Sequence, residues 1–126
     1  MFEFRWDTIL CHKDKMGKYR KIKIVEGNPN GRNVIIIDDL AMTGGTILEC
    51  AKLLESKGAK SVSAYVTHAV FPNHSYHSMS KFPFANFWVT DSCPETIEAM
   101  SRVGPITNFN VLSLAPAIAK ILTSSK

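Results

Sequence analysis

The stretch Val34-Ile35-Ile36-Ile37-Asp38-Asp39, continued by Leu40-Ala41-Met42-Thr43-Gly44-Gly45-Thr46, constrains the fold of this chain more than any other. Four consecutive β-branched residues read as a strand buried on both faces of a parallel sheet, which delivers Asp38 and Asp39 at its carboxyl end. Ligands of open α/β sheets bind at that edge. Thr43 to Thr46 come next, where small residues free the backbone amides to face outward and the following helix places its positive end on the same spot. A phosphate suits such a turn. The two carboxylates behind it suit the hydroxyls of a ribose and, through water, a Mg2+ ion, which takes oxygen ligands and keeps much of its hydration.

Two acids followed by two glycines are, by themselves, an ordinary strand end and turn. Here the acids follow the strand without a gap, and the glycines lead into an amphipathic segment with Ile47, Cys50, Ala51 and Leu54 on one face. Gly58 supplies the helix stop.

The rest of the chain is read around this unit. At 126 residues it is one domain that buries roughly two thirds of the surface its unfolded form exposes. Its 45% hydrophobic and 21% charged residues are those of an ordinary globular protein, and no apolar run approaches a membrane span. Met1 to Asp7 mixes acids with aromatics and lacks the basic-then-apolar order of a secretory signal, so a cytoplasmic protein is expected. Cys11, Cys50 and Cys93 are widely spaced with no CxxC, which argues against a disulfide framework or a zinc site and for reduced, partly buried thiols.

The formal charge of +4 lies wholly in the first 25 residues, which hold seven Lys or Arg against three Asp or Glu. Its core is Lys13, Lys15, Lys18, Arg20, Lys21 and Lys23, interrupted by Gly17. A nucleic-acid patch would need stacking aromatics that are sparse there, so no nucleic-acid partner is expected. The favoured reading is a mobile loop that swings cations over a polyphosphate, with a solvated hairpin next.

Punctuation gives the remaining elements: strands at Thr8–His12 and Arg20–Ile24, then a turn-rich loop with Asn28, Pro29 and Gly31. Further strands fall at Ser61–His68, Asn86–Thr90 and Val111–Ser113, with helices opened by Ser92-Cys93-Pro94 and spanning Leu114–Leu122. Such alternation implies an α/β fold of parallel strands joined by right-handed crossovers. Trp6, Trp88 and the phenylalanines are expected in the core or a subunit contact. His12 and His68 stand near the ligand edge. His74 and His77 lie three apart in a short polar helix, without a nearby Cys or carboxylate to complete a metal site.

The strand, acid pair and Thr-Gly-Gly-Thr turn resemble the phosphoribosyl-diphosphate-binding motif of the type I phosphoribosyltransferase fold. Ala64 to Pro72 (AYVTHAVFP) and Phe87 to Pro94 (FWVTDSCP) resemble strand ends in the carboxyl-terminal domain of phosphoribosyl diphosphate synthetase, also called ribose-phosphate diphosphokinase. Leu10 to Lys15 (LCHKDK) is similar to the start of that family's Lys-x-Arg catalytic loop, and KIVEGNPNGRN to the link before its binding strand. The wording is closer to the plant-like, phosphate-independent subgroup than to the common bacterial type.

The resemblance implies a Rossmann-like, three-layer, parallel-sheet phosphoribosyltransferase-type domain over residues 1–126, truncated at its amino-terminal side. It implies transfer of the diphosphate of Mg-ATP to ribose 5-phosphate, giving phosphoribosyl diphosphate and AMP. Asp38 and Asp39 would hold the ribose hydroxyls and, through water or those hydroxyls, Mg2+. Thr43, Gly44, Gly45 and Thr46 would hold the 5-phosphate, with Lys13 and Lys15 as the catalytic cations. Lys15 stands where the family usually shows Arg, and an ammonium does not reproduce a planar two-pronged contact. A complete synthetase brings most of the ATP site in a preceding homologous domain, so this chain alone is expected to be inactive, and the family's homo-oligomers are expected here too. A non-catalytic regulatory or assembly module of a synthetase, or a salvage phosphoribosyltransferase that joins a base to the sugar, are the alternatives.

Overall fold

The computed structural model describes residues 6–16, 19–104 and 106–124, without the side chains of 15, 16, 19 and 20. Four parallel strands form its sheet in the order β3-β4-β5-β6, with β3 at Asn33–Ala41, β4 at Ser61–Ala69, β5 at Phe87–Thr90 and β6 at Phe109–Leu112. Helices α1 (Gly45–Ser56), α2 (Pro94–Val103) and α3 (Ala115–Ser124) alternate with these strands, and a 3₁₀ segment (Pro72–Lys81) joins β4 to β5. β1 (Leu10–Met16) and β2 (Tyr19–Glu26) pair antiparallel in a separate two-stranded sheet. The parallel α/β architecture expected from the alternation of patterns is therefore present.

The core lies between one sheet face and the crossovers. Val62, Ala64 and Val66 of β4 and Phe87 and Val89 of β5 alternate onto that face, as a period of two requires. Against them pack Ile47, Ala51 and Leu54 of α1 and Ile97 and Met100 of α2, at helical spacing. Each such burial contributes roughly 1.5–3 kcal/mol for a large side chain. Helix α1 ends where Gly58 takes φ 90° and its N–H donates to the Glu55 carbonyl at 3.0 Å. Among the described residues no helix is long and apolar enough to cross a membrane.

Three expectations are corrected. β3 is an edge strand, hydrogen-bonded in its sheet to β4 alone, with Ile35 41% and Ile37 78% exposed, so it is not buried on both faces. A β-branched run favours a strand, but its burial depends on neighbours that periodicity does not report. β3 also runs on through Asp38 and Asp39 to Ala41, because Leu40 and Ala41 still pair with His68 and Ala69 of β4. The basic segment is a hairpin rather than a loose loop. Its alternation turns Ile22 inward to be buried and Ile24 to be half-buried, while Lys21 and Lys23 face solvent. That packing makes a hairpin of it. Of the two places expected for the tryptophans, Trp6, 72% exposed, is not in the core, and Trp88 is half-buried as a strand residue should be.

Candidate functional site

The site forms where the carboxyl end of β3, the start of α1 and the inner face of the hairpin meet. Gly44 makes the turn possible: it takes φ 79°, a left-handed conformation that costs an L residue roughly 1–2 kcal/mol. A Cβ on it would also fall 2.1 Å from Met79 Cε, which is fully buried. Helix α1 starts at the next residue. Among the described residues no side chain caps it, although Gly45 N–H donates to Thr43 Oγ1 at 3.4 Å. The first amides of a helix have no partner within it, so this end offers donors and a positive dipole to an anion.

The turn is held from behind. Val70 N–H donates to the Ala41 carbonyl at 3.0 Å. Ser75 Oγ donates to the Met42 carbonyl at 3.2 Å, and Ser78 Oγ to the Thr43 carbonyl at 3.3 Å. These ties engage the carbonyls of Ala41, Met42 and Thr43. Left-handed backbone at Phe71, Asn73 and His74 sets the sharp reversal that brings the 3₁₀ segment under the turn. Sequence reasoning missed Ser75 and Ser78. Their spacing of three, which aligns side chains on a 3₁₀ turn, was the available signal.

Lys13 arrives from the hairpin. Its Nζ donates to Thr46 Oγ1 at 2.7 Å, which sets an ammonium group at the open helix end. His12, next to it, faces Asp14 at 3.3 Å, and Asp14 also pairs with Lys23 at 2.7 Å. The Lys23 hydrogen bond first, then the charges of Lys23 and His12, hold the Asp14 carboxyl below its ordinary range against the opposing effect of burial.

Two adjoining cavities, of about 240 and 230 Å3, flank the contact and share Asp38, Thr46 and Ile47. The first extends under the hairpin past His12, Lys13, Cys11 and Cys50; the second follows the turn from Leu40 to Ile47. Burial raises the Asp38 carboxyl above its ordinary range, and the hydrogen-bonded, like-charged Asp39 carboxyl adds to this. Leu40 N–H, donating to Asp38 Oδ1 at 3.5 Å, pulls the other way. Two anions pressed together attract a cation or hydroxyl donors.

Of the residues singled out from sequence, Lys13, Asp38, Thr43, Gly44, Gly45 and Thr46 line these cavities together. Asp39 lines neither cavity and touches the site through Asp38. Lys15 pairs along its backbone with Arg20 in the hairpin, and its side chain lies outside the described residues. His68 stands apart, its Nδ1 2.8 Å from Ser92 Oγ, and His74 bonds Tyr76 Oη at 2.9 Å rather than pairing with His77. Among the described residues no three His, Cys, Asp or Glu side chains cluster to hold a metal.

The Lys13 ammonium, the start of α1 and the Asp38 carboxyl thus lie together around two adjoining cavities. The phosphoribosyl transferase domain family matches residues 12–104, and the chain belongs to that family. Several relatives that match this chain are pyrophosphokinases. Ribose-phosphate pyrophosphokinase 4 of Oryza sativa subsp. japonica is 50% identical over 121 residues, which is 90% of this chain and 36% of that protein. Ribose-phosphate pyrophosphokinase 4 of Arabidopsis thaliana is 46% identical over 93% of this chain and 36% of its own length. The crystal structure of phosphoribosylpyrophosphate synthetase from Mycobacterium smegmatis shares the fold with a TM-score of 0.70 at 25% identity, over 92% of this chain and 35% of that one. The chain thus spans about 36% of the length of the first two relatives.

Proposed function

We propose that this chain is the sugar-phosphate half of a ribose-phosphate diphosphokinase site and binds ribose 5-phosphate for diphosphate transfer from Mg-ATP. The observation that carries this reading is the 2.7 Å contact of Lys13 with Thr46, which sets a cation at the start of α1 in a cavity that Asp38 also lines. The names of the relatives support it.

In this reading the amides of Gly44 to Thr46 and the Thr43 and Thr46 hydroxyls hold the 5-phosphate. Asp38 and Asp39 accept from the ribose hydroxyls and so fix the ring. The sugar's 1-hydroxyl is thereby presented to the β-phosphorus of ATP. Its oxygen forms the new O–P bond and gives up its proton to solvent, the bond between the β-phosphorus and the α-phosphate oxygen breaks, and AMP leaves. Such a transfer rests on in-line positioning and on spreading negative charge, which is the part given to Lys13 and Lys15. The adjacent Asp38 and Asp39, an oxygen-only pair in which burial first and then the neighbouring Asp39 raise the Asp38 pKa, fit a magnesium ion held partly by substrate oxygens. When bound, that ion neutralises polyphosphate charge.

A second reading, a regulatory or assembly module that has kept the site, is favoured by Lys15 where the resemblance implies arginine. Calorimetric titration of the folded chain with ribose 5-phosphate and with phosphoribosyl diphosphate, each with and without Mg2+, tests the proposal. Binding of both, with Mg2+ tightening the diphosphate, is the expected result. Absence of binding to the folded chain contradicts the half-site, and release of AMP from ATP by this chain alone contradicts its being only half.

A further inference from the structure

The three thiols are free, and two of them meet across the fold. Cys11 stands on β1 and Cys50 on α1, 39 residues apart in sequence, with their Sγ atoms 3.9 Å apart. Cys11 alternates with Lys13 onto the hairpin face that Ile22 and Ile24 also occupy. Cys50 is buried among the inward residues of α1, while Cys11 is half-buried. Both line the cavity that also holds Lys13, Asp38 and Thr46. A shift of about 2 Å, the size of a side-chain rotation, brings the sulfurs to bonding distance.

We propose that Cys11 and Cys50 are a reversible disulfide site that fastens the hairpin to α1 behind the Lys13–Thr46 contact, with a small disulfide such as oxidised glutathione as co-reactant. Cys11 is the sulfur such a reagent reaches first. As the thiolate it attacks one sulfur of the glutathione disulfide, whose S–S bond breaks, and one glutathione thiolate leaves. The mixed disulfide sits on Cys11. Cys50 Sγ, after its proton passes to solvent, attacks Cys11 Sγ and expels the second glutathione thiolate. Two protein thiols have been oxidised and one small disulfide reduced to two thiols.

The bond would close a loop that contains β2, β3, the carboxylate pair and the turn. With both thiols reduced, the hairpin is held to α1 by apolar packing and by the Lys13 hydrogen bond. Oxidised, it is held covalently, with Lys13 kept beside Thr46. Cys93 contacts Ser92 at the start of α2, outside the cavity, and takes no part. The site stands on sulfur geometry and does not depend on which ligand the cleft takes.

The test equilibrates the full chain, without denaturant, in glutathione buffers of graded ratio and follows intact mass and a proteolytic map. Loss of two thiol hydrogens, a peptide joining Cys11 to Cys50, and Cys93 still open to alkylation are expected, with Cys93→Ser behaving the same way. The unfolding midpoint should rise by roughly 10 °C on oxidation and return on reduction. Cys11→Ser, checked for folding by circular dichroism, should show neither the link nor the rise; if it does not fold, the wild-type map decides. Three alkylatable thiols under strongly oxidising buffer, arrest at a glutathione adduct, or a link to Cys93 or between chains would each overturn the proposal.

Discussion

Replacing Gly44 with alanine separates the two physical reasons this position is glycine. The first is backbone: φ 79° in an L residue costs roughly 1–2 kcal/mol. The second is packing: the added Cβ would sit 2.1 Å from Met79 Cε and 3.0 Å from Phe71 Cε1, and overfilling a dense core costs roughly 1–3 kcal/mol. Together they predict a loss of about 2–5 kcal/mol, a large share of the roughly 5–15 kcal/mol by which a domain is stable. Gly45→Ala is the control. Its Cβ would meet only Thr43 Oγ1 at an ordinary 3.6 Å, so a change below about 1 kcal/mol is expected. Urea unfolding followed by far-ultraviolet circular dichroism reads both. Met79→Ala added to Gly44→Ala removes the nearest clash and leaves the backbone cost and the close approach to Phe71, so the double-mutant cycle should show a coupling of up to about 3 kcal/mol. If Gly44→Ala is as stable as Gly45→Ala, the argument that Met79 and the left-handed backbone lock the turn is wrong.

Asp39→Asn should weaken ribose 5-phosphate binding in Mg2+ roughly tenfold or more, because charge-assisted hydrogen bonds contribute about 1.5–3 kcal/mol; unchanged affinity by calorimetry removes that carboxylate from the site. Lys13→Ala should cost stability less than about 1.5 kcal/mol, as loss of one exposed hydrogen bond does, while weakening phosphoribosyl diphosphate more than ribose 5-phosphate. Equal weakening of the two ligands would place Lys13 on the 5-phosphate instead. The Asp14 carboxyl is lowered in the folded chain, so its contribution to the hairpin is present above the ordinary carboxylate range and lost as pH falls through the lowered value. Hydrogen exchange of hairpin amides should therefore be constant from about pH 7 to 5 and accelerate, beyond the intrinsic trend, only below about pH 4. Retained protection at lower pH would mean that the Asp14 pairs do not hold the hairpin.

The unit from Asn33 to Ser56 was legible because its signals are local. A β-branched run, an acid pair, two glycines and apolar residues at helical spacing lie in sequence, and each fixes its own conformation. What Ile35 and Ile37 face was not legible, since a strand's pattern is the same at a sheet's edge as at its centre. In the basic segment the charges drew the reading toward a loose loop. Ile22 and Ile24, on one face with Cys11, decided the outcome by giving the hairpin an apolar side to pack against the core. The ties that complete the site, Ser75 to Met42, Ser78 to Thr43 and Cys11 to Cys50, join residues more than thirty apart. No local pattern encodes such a meeting. The role of Lys13 was implied by the family resemblance, and the structure adds its partner, Thr46.

The central claim is that the turn between β3 and α1 receives the phosphate of a sugar phosphate whose hydroxyls the aspartates hold. Backbone amide resonances of the 15N-labelled chain, followed through a titration with ribose 5-phosphate in Mg2+, test it most directly. The account expects saturable shifts concentrated at Gly44, Gly45 and Thr46 and at Asp38 and Asp39, weakened by Asp39→Asn and reproduced only in part by inorganic phosphate. Shifts confined to the basic outer face of the hairpin, or none in a folded chain, would contradict it.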